Sequence, residues 1–383
     1  MHERLSFDVI VQVFQYYQLE ESPPYPVETL LLVCKTWNKI ASNYPPIWSR
    51  YDIGLYSKGY FTLWLRRLPL RLSRSGPKTP LHIKIKIAIT PTLAISLLNI
   101  LAGENGALCA KWNSLQFCYH STTPFCFSVE NEEHPLKVFT YPMPLLTSLE
   151  ISSVSMSAGV VIFPYLPSLK SVHISDSHIC NYPDMSRAKE IELSNVHCWD
   201  DLHGPIRIPE VQDLRLSGTI PSLPHARGYK NLRTLILQKH DQTSSLKDVS
   251  MPNLTSLSIE AKGIAGFCPL MDFPAITGIH TLYLKAFLPH KMDRKEMYRI
   301  ISHLLHACVR LRELWVTEYI LSILLENWHS CGHLFKAESA IRVILNIWTV
   351  EEKLILGEGA TNAVLKKVAM AYRLQIPNFS VFA

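Results

Sequence analysis

The residues best equipped for chemistry in this sequence are its histidines, cysteines and adjacent carboxylates. His178-x-Cys180, His197-Cys198 with His203, and Cys331-x-His333 are the candidate metal ligands. A structural zinc site takes four such ligands, arranged as two closely spaced pairs. None of the three groups supplies two such pairs, so neither a metal nor a cofactor is expected. Asp200-Asp201 is a carboxylate pair, but adjacent side chains in a loop diverge, and general acid–base work needs a positioned partner. There is no Gly-x-Ser-x-Gly elbow, no Gly-rich phosphate loop ending in Lys-Ser/Thr, and no His-Glu-x-x-His. No catalytic residue is assigned, and the chain does not read as an enzyme.

Binding residues stand out more clearly, and a repeat is what places them. From Trp112 onward an apolar-x-x-apolar-x-apolar unit recurs, as in Leu146/Leu149/Ile151, Leu169/Val172/Ile174, Ala188/Ile191/Leu193 and Val211/Leu214/Leu216. It continues through Leu232/Leu235/Leu237, Leu254/Leu257/Ile259, Ile279/Leu282/Leu284 and Leu311/Leu314/Val316. Most steps fall in the range of ~20–29 residues that marks leucine-rich repeats, in which one short strand per repeat stacks into a curved parallel sheet. On such a sheet the residue between the last two apolar positions faces away from the core. That column reads His173, Glu192, Arg215, Ile236, Ser258, Tyr283 and Trp315. Arg, Tyr and Trp carry much of the energy of protein interfaces, so His173, Glu192, Arg215, Ile236, Tyr283 and Trp315 are the candidate target-binding residues. Coverage of the same apolar residues by the C-terminal segment or by a crossing loop is the alternative.

The regular repeat has Asn or Cys three residues after its last apolar position. Here those positions hold residues such as Val154, Ser177, Val196 and Thr219. The convex side is therefore expected to rest on irregular loops and a few helices. The clearest helix is Asp293 to Cys308, with Asp293 and Glu296 as a capping box and Met297, Ile300, Ile301, Leu304, Leu305 and Cys308 as its buried stripe. In the tail, Ile341 to Val350 reads as a strand and Asn362 to Tyr372 as an amphipathic helix, together a cap for the last repeat.

The chain has 383 residues, 48% hydrophobic and 18% charged, with a net charge of +6. That is ample apolar content for two or three cores and too little charge for a disordered chain. Nine cysteines lie scattered; with no secretory leader ahead of the first amphipathic helix, they are expected to be reduced thiols in the cytosol or nucleus. The sequons at Asn253 and Asn378 then read as chance matches. The apolar run from Ile87 to Gly103 is too short and too polar to span a bilayer and reads as a strand end followed by a core helix. Residues 50 to 86 carry nine Lys or Arg against Asp52 alone. Phe61, Trp64 and Leu65 within it look like core, so the basic run reads as a solvated face and not as a nucleic-acid site.

At the N-terminus Phe7, Ile10, Phe14 and Tyr17 share one helical face, and Val9, Val13 and Tyr16 another. A helix apolar on two faces must bury both, against its own chain or against a partner. Leu30, Val33, Cys34, Trp37 and Ala41 form a second stripe at helical spacing, ended by Pro45-Pro46 and followed by Ile47-Trp48. Leu5-Ser-Phe-Asp-Val-Ile, Val13-Phe14, Val33-Cys34-Lys35-x-Trp37 and Ile47-Trp48 together resemble an F-box, with Ser6 where that family has Pro. Arg74-Ser-Gly76 and the Pro80-Leu strand that follows are similar to the fungal F-box proteins with degenerate leucine-rich repeats.

The fold the resemblance implies is α/β. F-box helices at 1–50 would be followed by linker helices and a first strand at 51–110, a leucine-rich-repeat solenoid at 111–338 with loops and helices on its convex side, and a C-terminal cap at 339–383. The function it implies is substrate recognition in an SCF-type cullin–RING ubiquitin ligase. The N-terminal helices would bind a Skp-type adaptor, and through it a cullin, using or supporting the contact with Leu5, Ile10, Val13, Val33, Trp37 and Trp48. The repeats would hold a target protein. The alternative is a repeat-based protein-binding scaffold with no ligase. No membrane is expected.

Overall fold

The computed structural model describes residues 6–19, 27–88, 91–119, 126–127, 135–156, 162–179, 183–196, 208–218, 229–240, 250–261, 267, 274–286, 293–327, 342–346 and 380–382. The chain divides into two compact units, Met1–Arg187 with Cys198–His203, and Ala188–His197 with Gly204–Ala383. Both are mixed α/β, built on parallel sheet.

The first unit begins with helix α1 (Phe7–Leu19), a 3-10 turn at Val27–Leu32, helix α2 (Lys35–Ser42) and a second 3-10 turn at Pro45–Trp48. The single helical stripe expected from Leu30 to Ala41 is in fact broken. Cys34 is extended and caps α2, its sulfur accepting the Trp37 N–H at 3.5 Å. That break rotates Val33 out of the stripe, leaving it exposed while Leu30, Trp37 and Ala41 are buried.

Beyond the turn come strand β1 (Arg50–Leu55), helix α3 (Lys58–Ser75), strand β2 (Leu81–Ile87), helix α4 (Pro91–Ala102) and strand β3 (Trp112–Tyr119). The residues after Trp48, expected to be helical, thus open with a strand whose side chains alternate between wet and buried. After the two-residue strand β4 (Cys126–Phe127) and a 3-10 turn at Pro135–Thr140 come β5 (Ser148–Ser152), β6 (Ser155–Met156), β7 (Ser171–Ser175) and β8 (His178–Ile179). Strands β1, β2, β3, β5 and β7 pair in that order, all parallel. The short β4, β6 and β8 form a separate parallel strip. Phe139 in the 3-10 turn stacks on Phe163 at 5.1 Å and meets Phe117 edge-on at 5.2 Å.

In the second unit β9 (Glu190–Ser194), β10 (Asp213–Ser217), β11 (Thr234–His240), β12 (Ser256–Ala261), β13 (Thr281–Ala286), β14 (Glu313–Val316), β15 (Arg342–Asn346) and β16 (Ser380–Phe382) pair successively and in parallel. Helix α5 (Arg294–Ala307) lies between β13 and β14 in the chain, and α6 (Glu318–Glu326) follows β14. The Asp293 carboxylate caps α5 by accepting the Lys295 N–H at 2.8 Å. Glu296 turns instead to Arg299, so only half of the expected capping box forms. The tail strand expected within Ile341–Val350 is β15; the Asn362–Tyr372 helix lies outside the described residues. The ladder therefore starts well before residue 111 in the first unit and runs past residue 338 in the second.

Every apolar triplet named above, from Leu146/Leu149/Ile151 to Leu311/Leu314/Val316, is buried to 4% exposure or less. Two further regularities hold the turns. Ser153, Asp176, Asn195 and Gly218 occupy the same repeat position and all have positive φ, between 47° and 69°. The N–H groups of Ser153, Asn195 and Gly218 donate to Ser175, Ser217 and Gln238 on the next strand. Ahead of the strands, the side chain just before the first apolar anchor donates to a carbonyl one repeat earlier. Ser168 reaches Pro144 at 2.7 Å, Arg187 reaches Pro167 at 3.2 Å, Asn231 reaches Pro209 at 3.2 Å and Asn253 reaches Lys230 at 2.6 Å. The side-chain ladder absent from its usual position thus has a counterpart at the opposite end of the strand, which the expectation of irregular loops and a few helices did not include.

Ser177 adds one bond of the expected kind. Its buried hydroxyl donates to Ser175 O at 2.6 Å and accepts the Val154 N–H at 3.1 Å. A buried amide left without a partner costs about 1–3 kcal/mol. Ser177→Ala is expected to lower the urea midpoint by that amount of stability, whereas Ser186→Ala, in an exposed turn, should not.

Candidate protein-binding surfaces

The N-terminal helices build a small core of their own. Ile10, Phe14, Val27, Leu30, Trp37, Ile40, Ala41, Ile47 and Trp48 pack together. Phe14 meets Trp37 edge-on at 5.2 Å, and the Trp48 indole N–H donates to Ala41 O, in the last turn of α2, at 2.7 Å. Three of the residues assigned to adaptor contact or its support, Ile10, Trp37 and Trp48, are therefore interior. They are placed to support a surface and do not form one. Leu5 lies outside the described residues. Val13 and Val33 are 39% and 46% exposed.

Those two do not stand alone. Phe7, Val9 and Tyr16 on α1 are also exposed, at 58%, 40% and 74%, and Leu32 in the first 3-10 turn at 82%. Sequence reasoning grouped Phe7 on one face with Ile10 and Phe14. It in fact falls on the solvent side, while Ile10 and Phe14 of that group are inside. Leu32 went unread because the helical stripe did not include it; the run Leu30-Leu31-Leu32-Val33 is too long to fit one helix face, and that was its signal.

Arginines join this cluster to the rest of the first unit. Arg74 lies 4.6 Å over the Trp48 ring. Arg71 lies 5.3 Å from the Tyr51 ring and 5.5 Å from Trp64, donates to Arg50 O at 3.2 Å, and approaches Glu28 at 3.7 Å. The basic run is thus partly structural, contrary to its reading as a wholly solvated face. Phe61 is buried, as expected, whereas Trp64 and Leu65 are only partly so.

The sheets carry the second candidate surface. In the second unit register pairs Glu192 with Arg215, Arg215 with Ile236, Ile236 with Ser258, Ser258 with Tyr283 and Tyr283 with Trp315. The predicted column is thus a physical row of neighbours. Glu192 accepts from Arg215 at 3.2 Å, and the Trp315 indole donates to Glu313 at 3.3 Å. Ile236, Tyr283 and Trp315 are partly exposed. His173 belongs to the first unit. Its row there is Asp52, Lys84, Gln116, Glu150 and His173, with the Gln116 amide donating to Glu150 at 2.7 Å. Sequence reasoning missed Asp52 because it did not place β1 in the ladder, and it began the column at His173 although the triplets already start at Trp112.

Burial pushes the thiols of Cys109 and Cys308 up to about 12, which keeps both protonated and poorly nucleophilic at neutral pH. Among the described residues no group of three His, Cys, Asp or Glu side chains converges as a metal site.

Burial raises the Tyr51 hydroxyl to about 12, with the nearby Ser75 hydroxyl and the charge of Arg71 acting the other way. An unfolded tyrosine titrates near ~10. Its contribution to stability is therefore complete below pH ~10 and is lost as pH rises from there through about 12. Tyr229 is raised by burial as well and shares in this loss. Tyr51→Phe is expected to flatten the alkaline fall in stability, measured as thermal midpoint against pH. Arg71→Lys keeps the charge but loses the planar face over two rings, and is expected to cost about 1–2 kcal/mol in the same assay.

Compared with protein-family models and with curated proteins, the chain finds no match.

Proposed function

We propose that this chain is the substrate-recognition subunit of an SCF-type cullin–RING ubiquitin ligase. The α1–α2 region binds a Skp-type adaptor, and the repeat strands bind the protein to be modified. The observation that carries this reading is the pairing of a small packed core with an apolar surface left exposed, among the described residues, on the same helices. Phe7, Val9, Val13, Tyr16, Leu32 and Val33 are exposed around an interior that is already filled. Scattered exposed apolar residues need no explanation, whereas several on one short helical segment point to a protein partner. The F-box-like order of Val33-Cys34-Lys35-x-Trp37 and Ile47-Trp48 supports a Skp-type adaptor as that partner. In this reading the chain does no bond chemistry. It raises the effective concentration of a target lysine near the ubiquitin carrier, in the cytoplasm or nucleus.

The second reading is a leucine-rich-repeat scaffold whose N-terminal helices only close the end of the ladder. The burial of Ile10, Trp37 and Trp48 within the chain favours it, since those positions would be filled whether or not a partner docks.

Co-purification of the full chain with a Skp-type adaptor separates the two. Burying an apolar side chain is worth about 1.5–3 kcal/mol. Val13→Asp with Val33→Asp is therefore expected to weaken adaptor binding on the order of 100-fold. Both residues are exposed, so the thermal midpoint should stay where it was. A stable chain that captures no adaptor would leave the scaffold reading.

A further inference from the structure

We propose that the outward face of β1 and β2 binds an acidic, extended segment of another polypeptide. The proposal goes beyond the ligase reading and holds whether or not the N-terminal helices bind an adaptor. On β2 the buried side chains are Leu81, Ile83, Ile85 and Ile87, and each side chain between them is a base: His82, Lys84 and Lys86. Register sets Arg50 beside His82, Asp52 beside Lys84 and Gly54 beside Lys86. This face of two strands thus carries three fixed cations and one carboxylate.

Lys84 and Lys86 are half-buried, and neither forms an ion pair with a carboxylate among the described residues. Asp52 is a register neighbour of Lys84 without closing a salt bridge to it, and Glu150 is engaged by the Gln116 amide. Partly desolvated ammonium groups gain more from an arriving anion than fully hydrated ones do. Alternate residues of a strand repeat every ~6.6 Å, so the two lysines stand at the spacing of same-side carboxylates on an extended chain. Past Lys86 the face is walled by Tyr56, whose ring lies against Gly54 where a Cβ would stand, and by Tyr60, edge-on to it at 6.3 Å. Both tyrosines are more than half exposed. Their rings pack on each other instead of standing apart to receive bases, which favours a peptide over single-stranded nucleic acid.

The test uses the full chain and a short fluorescent peptide alternating Glu and Ser, followed by anisotropy. Binding is expected, is expected to weaken as salt rises, and should be absent for the matched Gln/Ser peptide. Lys84→Glu with Lys86→Glu should weaken it about tenfold or more, and Lys78→Glu with Lys170→Glu, both off this face, should not. Should the first double variant fold poorly, lysine acetylation of the unaltered protein decides. The peptide is expected to protect Lys84 and Lys86. Equal binding of the Gln/Ser peptide, an unprotected lysine pair, or oligothymidine binding the same lysines more tightly than the peptide would overturn the proposal.

Discussion

A strand in a parallel ladder cannot satisfy its own backbone. Each N–H and C=O must find a partner on the strand before or after it, and in these two units that need is met by parallel register that shifts only at the strand ends, at Leu81/His82 and Gln238/His240. From β9 to β14 every step pairs one apolar triplet with the next without a slip inside the triplet. Burial of the triplets and satisfaction of the backbone are therefore the same constraint. A one-residue slip would turn every leucine to solvent and break the ladder at once. The turns are bound by the same rule. Ser153, Asn195 and Gly218, with positive φ after their strands, donate to the following strand, and Ser168, Arg187, Asn231 and Asn253 ahead of theirs reach back one repeat.

This constraint explains what the sequence could disclose. Alternation of buried and wet residues, repeated at ~20–29 residues, is a pattern the eye can test, so the ladder strands β2, β3, β5, β7 and β9 to β14 were legible. Strand β1 was not, although Arg-Tyr-Asp-Ile-Gly-Leu alternates as well as any other. It even carries the triplet spacing, in Trp48/Tyr51/Ile53, but Trp48 reads as part of the N-terminal motif and the strand opens a basic run that draws attention to charge. The turn position was also open to reading. Ile-Ser-Ser153, Ile-Ser-Asp176, Leu-Ser-Asn195 and Leu-Ser-Gly218 place at one site residues that mostly tolerate left-handed backbone. Read as failed Asn positions a residue later, they concealed a regular turn.

The N-terminal surface was half legible for a different reason. Periodicity says which residues share a face only while the helix continues, and Cys34 interrupts it. Its extended backbone moves Val33 and Leu32 outward and keeps Trp37 inward, so a stripe that looked continuous is divided between core and surface. Motif positions read from sequence carry no information about that division. Ile10 and Val13 are three residues apart on one helix, yet the first is sealed and the second is wet.

What the ladder leaves undetermined is the outward residue of each strand. Its backbone pairs identically whatever the side chain, and the apolar layer lies on the other face, so neither hydrogen bonding nor burial selects among Lys84, Glu150, Ile236 or Trp315. A small polar residue would satisfy the fold at every such position at little cost. Lysines held half-buried with no ion pair among the described residues oppose desolvation, and an isoleucine separated from a tyrosine–tryptophan pair only by Ser258 opposes solvation. Both are departures from what the scaffold needs, and they are of opposite chemical kind in the two units. Where a fold is indifferent, side chains that work against its own stability are most economically explained by something they bind.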